Sequence, residues 1–193
     1  MSKEQTRQRI VEATRALHEE VGPAATTITA IAERAGVQRL TVYRHFPDDA
    51  ALLRACSADW REDHPLPDPS DWTGLEDPVA RLRRALEEMY RYFRRGAPML
   101  ESILRDQEEV PELAEVMTPW WEYLREVAGG LAAGWGVDGE RQRMLRAAVG
   151  HALGFRTWQS LADEGLSEED AVELMVSLVR NVARDESISG GTG

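Results

Sequence analysis

Six side chains within eight positions could act together: Gln38, Arg39, Thr41, Tyr43, Arg44 and His45. They are donors and acceptors of the kind that meet the base edges and phosphates of a nucleic acid, and Thr29 and Leu40 join them as candidate contacts. No comparable set supports catalysis or metal binding. The four histidines, His18, His45, His64 and His151, lack the spacing of metal ligands. Cys56 lies in the apolar stretch of a short helix, where a buried thiol is expected rather than a nucleophile. There is no phosphate-cradling glycine loop, no G-x-S-x-G and no H-E-x-x-H. The acid pairs Glu108-Glu109 and Glu168-Glu169 read as solvated faces or helix starts. No catalytic residue, metal or cofactor is expected.

Two short helices joined by a turn must position the six. Residues 27–46 read as a helix-turn-helix. Thr27 is a good N-cap for a helix through Ile28, Ile31, Ala32 and Ala35, and Gly36 ends it because glycine accepts the left-handed conformation of a tight turn. The next helix, Arg39 to Phe46, stops before Pro47, since the residue ahead of a proline is pushed out of the helical region. Ile28, Ile31, Ala32, Val37, Val42 and Phe46 form the small core, with Ala32 placed where the helices cross. Upstream, Ile10, Ala13, Leu17 and Val21 recur at helical steps before Gly22-Pro23. Downstream, Asp48 caps a helix from Asp49 to near Arg61.

Residues 64–78 hold four of the nine prolines and read as a connection. Beyond them every segment is helical. Val79, Leu82, Leu86, Met89, Tyr90 and Phe93 form a stripe closed by Gly96 and Pro98; a short helix follows from Met99 to Asp106. Pro111 opens another, reaching Leu131, in which Pro119 predicts a kink or break. Residues 138–162 and 167–184 are the last two, the latter with Ser167 and Asp170 placed as a capping box. No segment alternates as a strand would, so the fold class is all-α, with about nine helices.

The 193 residues carry a net charge of -11, which taken as uniform speaks against a phosphate-rich partner. The charge is not uniform: residues 1–55 sum to +1 and the remainder to -12. One cysteine cannot make an intrachain disulfide, and no apolar run approaches the ~20 residues of a membrane span. With its polar N-terminus, a soluble cytoplasmic protein without membrane contact is expected.

Ile31-Ala32-Glu33-Arg34-Ala35-Gly36-Val37 followed by Thr41-Val42-Tyr43-Arg44-His45-Phe46 resembles the DNA-binding domain of tetracycline-repressor-like (TetR family) transcriptional regulators. The resemblance covers residues 5–55; the rest is similar only in length and helical character. It implies a homodimeric, ligand-responsive DNA-binding protein, usually a repressor, with Thr41 and Tyr43 on phosphates and Gln38, Arg39 and Arg44 as base readers. The implied organisation is a helix-turn-helix domain over 1–55, a helical ligand-binding and dimerisation domain over 56–186 and a disordered tail over 187–193. One position departs from the pattern: the family usually places a lysine where this chain has Pro47-Asp48-Asp49. Acids there would repel the backbone and weaken binding unless Arg54, Arg39 or the Lys3, Arg7, Arg9 end compensates; alternatively the helix N-terminus still reaches the phosphate.

In 171–183 apolar residues cover most of the helix circumference, and Met144, Ala148, His151, Phe155, Trp158 and Ala162 form a heptad seam beside Ala147, Gly150 and Gly154. This predicts a homodimer through helices 138–162 and 167–184, unless the excess apolar surface is covered within one chain. Two-fold pairing would place the recognition helices about 34–36 Å apart on a palindromic double-stranded DNA operator. A small-molecule effector of unknown identity would occupy a cavity lined by Met89, Phe93, Met99, Leu100, Ile103, Leu104, Trp120, Trp121, Leu124, Phe155 and Trp158, with Arg105, Asp106, His151 and Arg156 to orient it, although apolar residues at helical spacing are more often plain core. The competing functional class is a helical interaction module that keeps the motif without DNA binding, and an activator stands beside the repressor.

Overall fold

In the computed structural model, which describes Ser2 to Arg184, helix α1 (Lys3–Glu20) opens with a reciprocal cap. The Ser2 hydroxyl accepts from the Gln5 N–H, and the Gln5 side chain accepts from the Ser2 N–H. Ile10, Val11, Ala13 and Leu17 lie on its buried face. Helix α2 (Ile28–Ala35) starts where the Thr27 hydroxyl accepts from the Ala30 N–H and stops at Gly36, whose φ of +61° is left-handed. Helix α3 (Arg39–His45) ends ahead of Pro47. Helix α4 (Asp49–Asp63) is capped by Asp48, whose carboxylate accepts from the Ala51 N–H at 2.7 Å. Helix α1 packs on α2 and α4, and α2 packs on α3.

Six more helices follow: α5 (Ser70–Thr73), α6 (Pro78–Asp106), α7 (Glu112–Leu131), α8 (Gly139–Ala152), α9 (Phe155–Asp163) and α10 (Glu168–Arg184). The described residues thus form ten helices and no strand. The two compact units are discontinuous in sequence. The first comprises the chain up to Leu66 with Gly96–Pro119; the second comprises Pro67–Arg95 with the chain from Trp120 on. The expected tail, 187–193, lies outside the described residues. Among those residues no helix is long and apolar enough to cross a membrane.

Five local expectations are corrected. The connection 64–78 contains the one-turn α5, which buries Trp72. The predicted stop at Gly96 and Pro98 does not occur: α6 runs through Pro98 for 29 residues. A mid-helix proline costs about 3 kcal/mol, but Tyr92, Phe93, Met99 and Leu100 are all buried around it, and that burial outweighs the lost backbone bond. Helix α7 likewise continues across Pro119 without a break. The single helix predicted over 138–162 is two, divided at Leu153-Gly154. Gly154 is extended (φ -75°, ψ 134°), and the His151 carbonyl accepts from both the Gly154 N–H at 3.0 Å and the Thr157 hydroxyl at 2.6 Å. A Cβ at Gly154 would stand 3.1 Å from that same carbonyl. Ser167 also caps differently from a capping box: its hydroxyl accepts from the Asp170 N–H and donates to the Asp170 carboxylate.

Gly96 is a packing position. A Cβ there would sit 2.8 Å from Cζ2 of the buried Trp60 indole, a rigid neighbour. Gly96→Ala is expected to lower unfolding stability by about 1–2 kcal/mol in urea melts, overpacking exceeding the gain in helix propensity. Gly130→Ala, on the same kind of backbone with open space around it, is expected to be neutral or to stabilise.

Candidate nucleic-acid interface

A seven-residue helix has little stability of its own, so α3 depends on what it buries. Val42 is fully buried and Phe46 nearly so, in one core with Ile10, Ile31, Ala32 and Ala35. Fixing Val42 inward fixes the rotation of α3. Arg39, Leu40, Tyr43 and Arg44 are therefore exposed, as is Gln38 at its N-cap position. Leu40 and Tyr43 are 58% and 46% exposed. Thr41 and His45 are half-buried at the edges, and Thr29 is exposed on α2.

Several arginines offered as compensating phosphate contacts, and Arg34 beside them, are engaged within the protein. An Arg9 guanidinium nitrogen donates to the Ala35 carbonyl at the end of α2. The Arg7 guanidinium stands 5.1 Å above the Phe46 ring. Arg34 holds Glu20 through two hydrogen bonds, and Arg54 pairs with Glu115 at 3.3 Å. Arg39 and Arg44 enter no ion pair among the described residues. The Asp48 carboxylate is committed to capping α4, while Asp49 is exposed beside it.

The ligand candidates do not gather within one unit. Phe93, Phe155 and Trp158 pack together in the second unit with ring centroids 5.4–6.0 Å apart, and Trp120 stands 6.1 Å from Phe93. Met89 is buried in that unit, Leu124 half-buried, Trp121 39% exposed and His151 exposed. The Trp120 indole nitrogen is buried without a hydrogen-bond acceptor among the described residues. Met99, Ile103, Arg105 and Asp106 belong to the first unit. There Met99 and Ile103 border a cavity of about 30 Å³ with Leu53, Cys56, Trp60 and Leu113. Arg105 and Asp106 engage the α1–α2 turn, a role that spacing did not disclose because the partners are more than 80 residues away. Among the described residues no group of three or more His, Cys, Asp or Glu could hold a metal ion.

Residues 10–56 match the bacterial regulatory proteins of the tetR family. The whole described fold is TetR-like. A TetR-like transcriptional regulator from Rhodococcus sp. RHA1 superposes with a TM-score of 0.65 at 19% identity, covering 96% of each chain. The TetR family regulator PfmR from Thermus thermophilus gives 0.62 at 19%, over 92% of this chain and 95% of its own. The fatty acid degradation regulator FadR from Bacillus halodurans gives 0.61 at 16%, over 90% and 93%. No curated protein matches the sequence.

Behind the head, the Cys56 thiol lies 3.7 Å from Nδ1 of His18, both buried. Burial pushes the thiol up to about 12 and the imidazole down from 6.5 to about 4, so at neutral pH the pair is uncharged and the thiol is no nucleophile. An imidazole harder to protonate when folded leaves the unfolded chain to take up the proton first. Stability is thus fully present above pH 6.5 and falls as pH drops toward 4, by about 3 kcal/mol over that window. Urea melts at pH 7 and pH 4.5 are expected to show this loss in the wild type and a much smaller one in His18→Gln.

Proposed function

We propose that this protein is a one-component transcriptional regulator. It reads a palindromic double-stranded operator as a homodimer and acts in the cytoplasm, most simply as a repressor released by a small molecule. The observation that carries the reading is the exposed face of α3, where Gln38, Arg39, Leu40, Tyr43 and Arg44 project from a helix whose rotation Val42 fixes, inside a segment that matches the tetR family. Thr41 and Tyr43 would take phosphates, with Thr29 and His45 at the edges; Gln38, Arg39 and Arg44 would take base edges, and Leu40 an apolar contact such as a thymine methyl. The near-neutral charge of residues 1–55 permits this where the whole-chain value would oppose it.

Dimerisation through α8, α9 and α10 is supported by what α10 leaves uncovered. Its buried side packs on α8 and α9, yet Leu174 and Leu178, one turn apart, are 40% and 50% exposed, and Met144, Ala147 and Gly150 are exposed along α8. Small residues on such a face let a second backbone approach closely. Effector binding within the second unit is supported by Trp120: a ligand with an apolar body and an acceptor oxygen would satisfy its indole N–H. Release would then follow from unequal effector affinity for the DNA-bound and free arrangements.

Gel-shift titration against duplexes selected from a randomised pool tests the reading, with a salt-dependent shift at a two-half-site sequence as the expected result. Tyr43→Ala should weaken every duplex alike, whereas Arg44→Ala should change the order of preference among them; an equal loss on all sequences would remove Arg44 from base reading. In sedimentation analysis the wild type should run at twice the 21.7 kDa chain mass, and Leu178→Arg should shift it to a single chain while abolishing the two-half-site complex.

A further inference from the structure

The turn from α1 to α2 is held by the end of α6. Asp106, the last residue of α6, has a side chain only 6% exposed and accepts from the backbone N–H of Ala24 at 3.0 Å. Arg105 grips the same carboxylate through Nε at 2.6 Å and Nη2 at 3.2 Å, and Nη2 also donates to the Val21 carbonyl at 3.1 Å. Gly22 lies between these two backbone contacts with φ +91°, and a Cβ there would overlap both Nη2 of Arg105 and Oδ2 of Asp106. The ion pair therefore occupies the space that a side chain at position 22 would need.

Elsewhere the turn faces this segment across open space. Pro23, Ala24 and Thr26 border an open cleft of about 360 Å³ whose other wall includes Glu109, Val110 and Glu112. The nearby Arg54–Glu115 pair is half or more exposed on both sides and contributes little in water. By contrast, charge-assisted hydrogen bonds at a buried carboxylate are strong and directional. Burial disfavours the charged carboxylate, but the hydrogen bonds from the Arg105 guanidinium and the Ala24 N–H outweigh it and hold Asp106 below the usual carboxylate range.

We propose that Arg105 and Asp106 are positioning residues for DNA reading: by fixing the α1–α2 turn to the last turn of α6, they set where α2, and with it α3, is held. Asp106 is buried and acts through the turn. This assignment rests on the reading of α3 as the recognition helix.

The test uses the full chain with Asp106→Asn and Arg105→Ala. Hydrogen exchange reads the clamp without DNA: the segment 21–27 should exchange at least about tenfold faster in Asp106→Asn, with 38–46 unchanged. Arg105→Ala, which keeps the Ala24 bond and alters an exposed side chain, should move the same segment by less; it decides the matter should Asp106→Asn fail to fold. With selected duplexes, Asp106→Asn should lose about tenfold on two half-sites and less than about twofold on one half-site, and its preference among half-site spacings should flatten. Unchanged exchange at 21–27 overturns the clamp, as does an equal loss on one and two half-sites, which a general loss of structure would produce. If the wild type binds no duplex from the pool, DNA reading itself fails and the exchange result alone decides the clamp.

Discussion

Everything that α3 presents outward depends on one side chain pointing inward. Val42 has no exposed surface, and a seven-residue helix without a side-chain N-cap holds its rotation only because that group and Phe46 are buried against α1 and α2. Burying two such side chains is worth several kcal/mol, more than the intrinsic preference of so short a helix can supply. The same burial explains why Leu40 and Tyr43 stay in solvent: turning either inward would turn Val42 out. The outward face is thus the product of an inward one, and the arginines around it serve that framework. Arg9 on the Ala35 carbonyl and Arg7 above Phe46 contribute packing as well as charge.

The acids at the start of α4 have a local physical cause. Asp48 satisfies an open backbone donor and is favoured by the helix dipole. A lysine at that place could serve neither purpose. The chain thus gains a firmly started α4 and gives up a cation near the expected path of the phosphates, where Arg39 and Arg44 carry the uncommitted positive charge of α3. Electrostatic attraction to a duplex would then come from few groups, with much of the discrimination falling to the shape and hydrogen bonding of α3.

Features written in adjacent residues were legible in the sequence. The Thr27 cap, the Gly36 turn, the stop at Pro47 and the Asp48 cap each involve groups within a few positions, and each stands where the residue types place it. What was not legible depends on groups far away in sequence. Pro98 fails to end α6 because residues on both sides of it are buried, and burial is a property of the fold. The division at Gly154 lies inside an apolar repeat that reads as one helix, and its stabilising bond, Thr157 to the His151 carbonyl, is short-range but has no strong signature. Asp106 entered the sequence reading as a polar candidate near aromatic residues; its partner, the Ala24 amide, has no side-chain identity to detect. The family resemblance in the first quarter of the chain carried the functional reading, and beyond residue 56 the likeness is one of fold.

The discontinuity of the first unit also bears on the order of synthesis. The helix-turn-helix and α4 are complete by residue 63, and most of their contacts are local, so they can form while the rest of the chain is still being made. The Ala24 amide, however, waits for a carboxylate 82 residues downstream. Leu53, Cys56 and Trp60 likewise lack Met99 and Leu113, which later border the same cavity. For that interval the nascent head carries an apolar flank and an untethered first turn. A fragment cut after α4 would remain permanently in that condition, so the smallest piece of chain that covers its own apolar surface must include residues 96–119 as well.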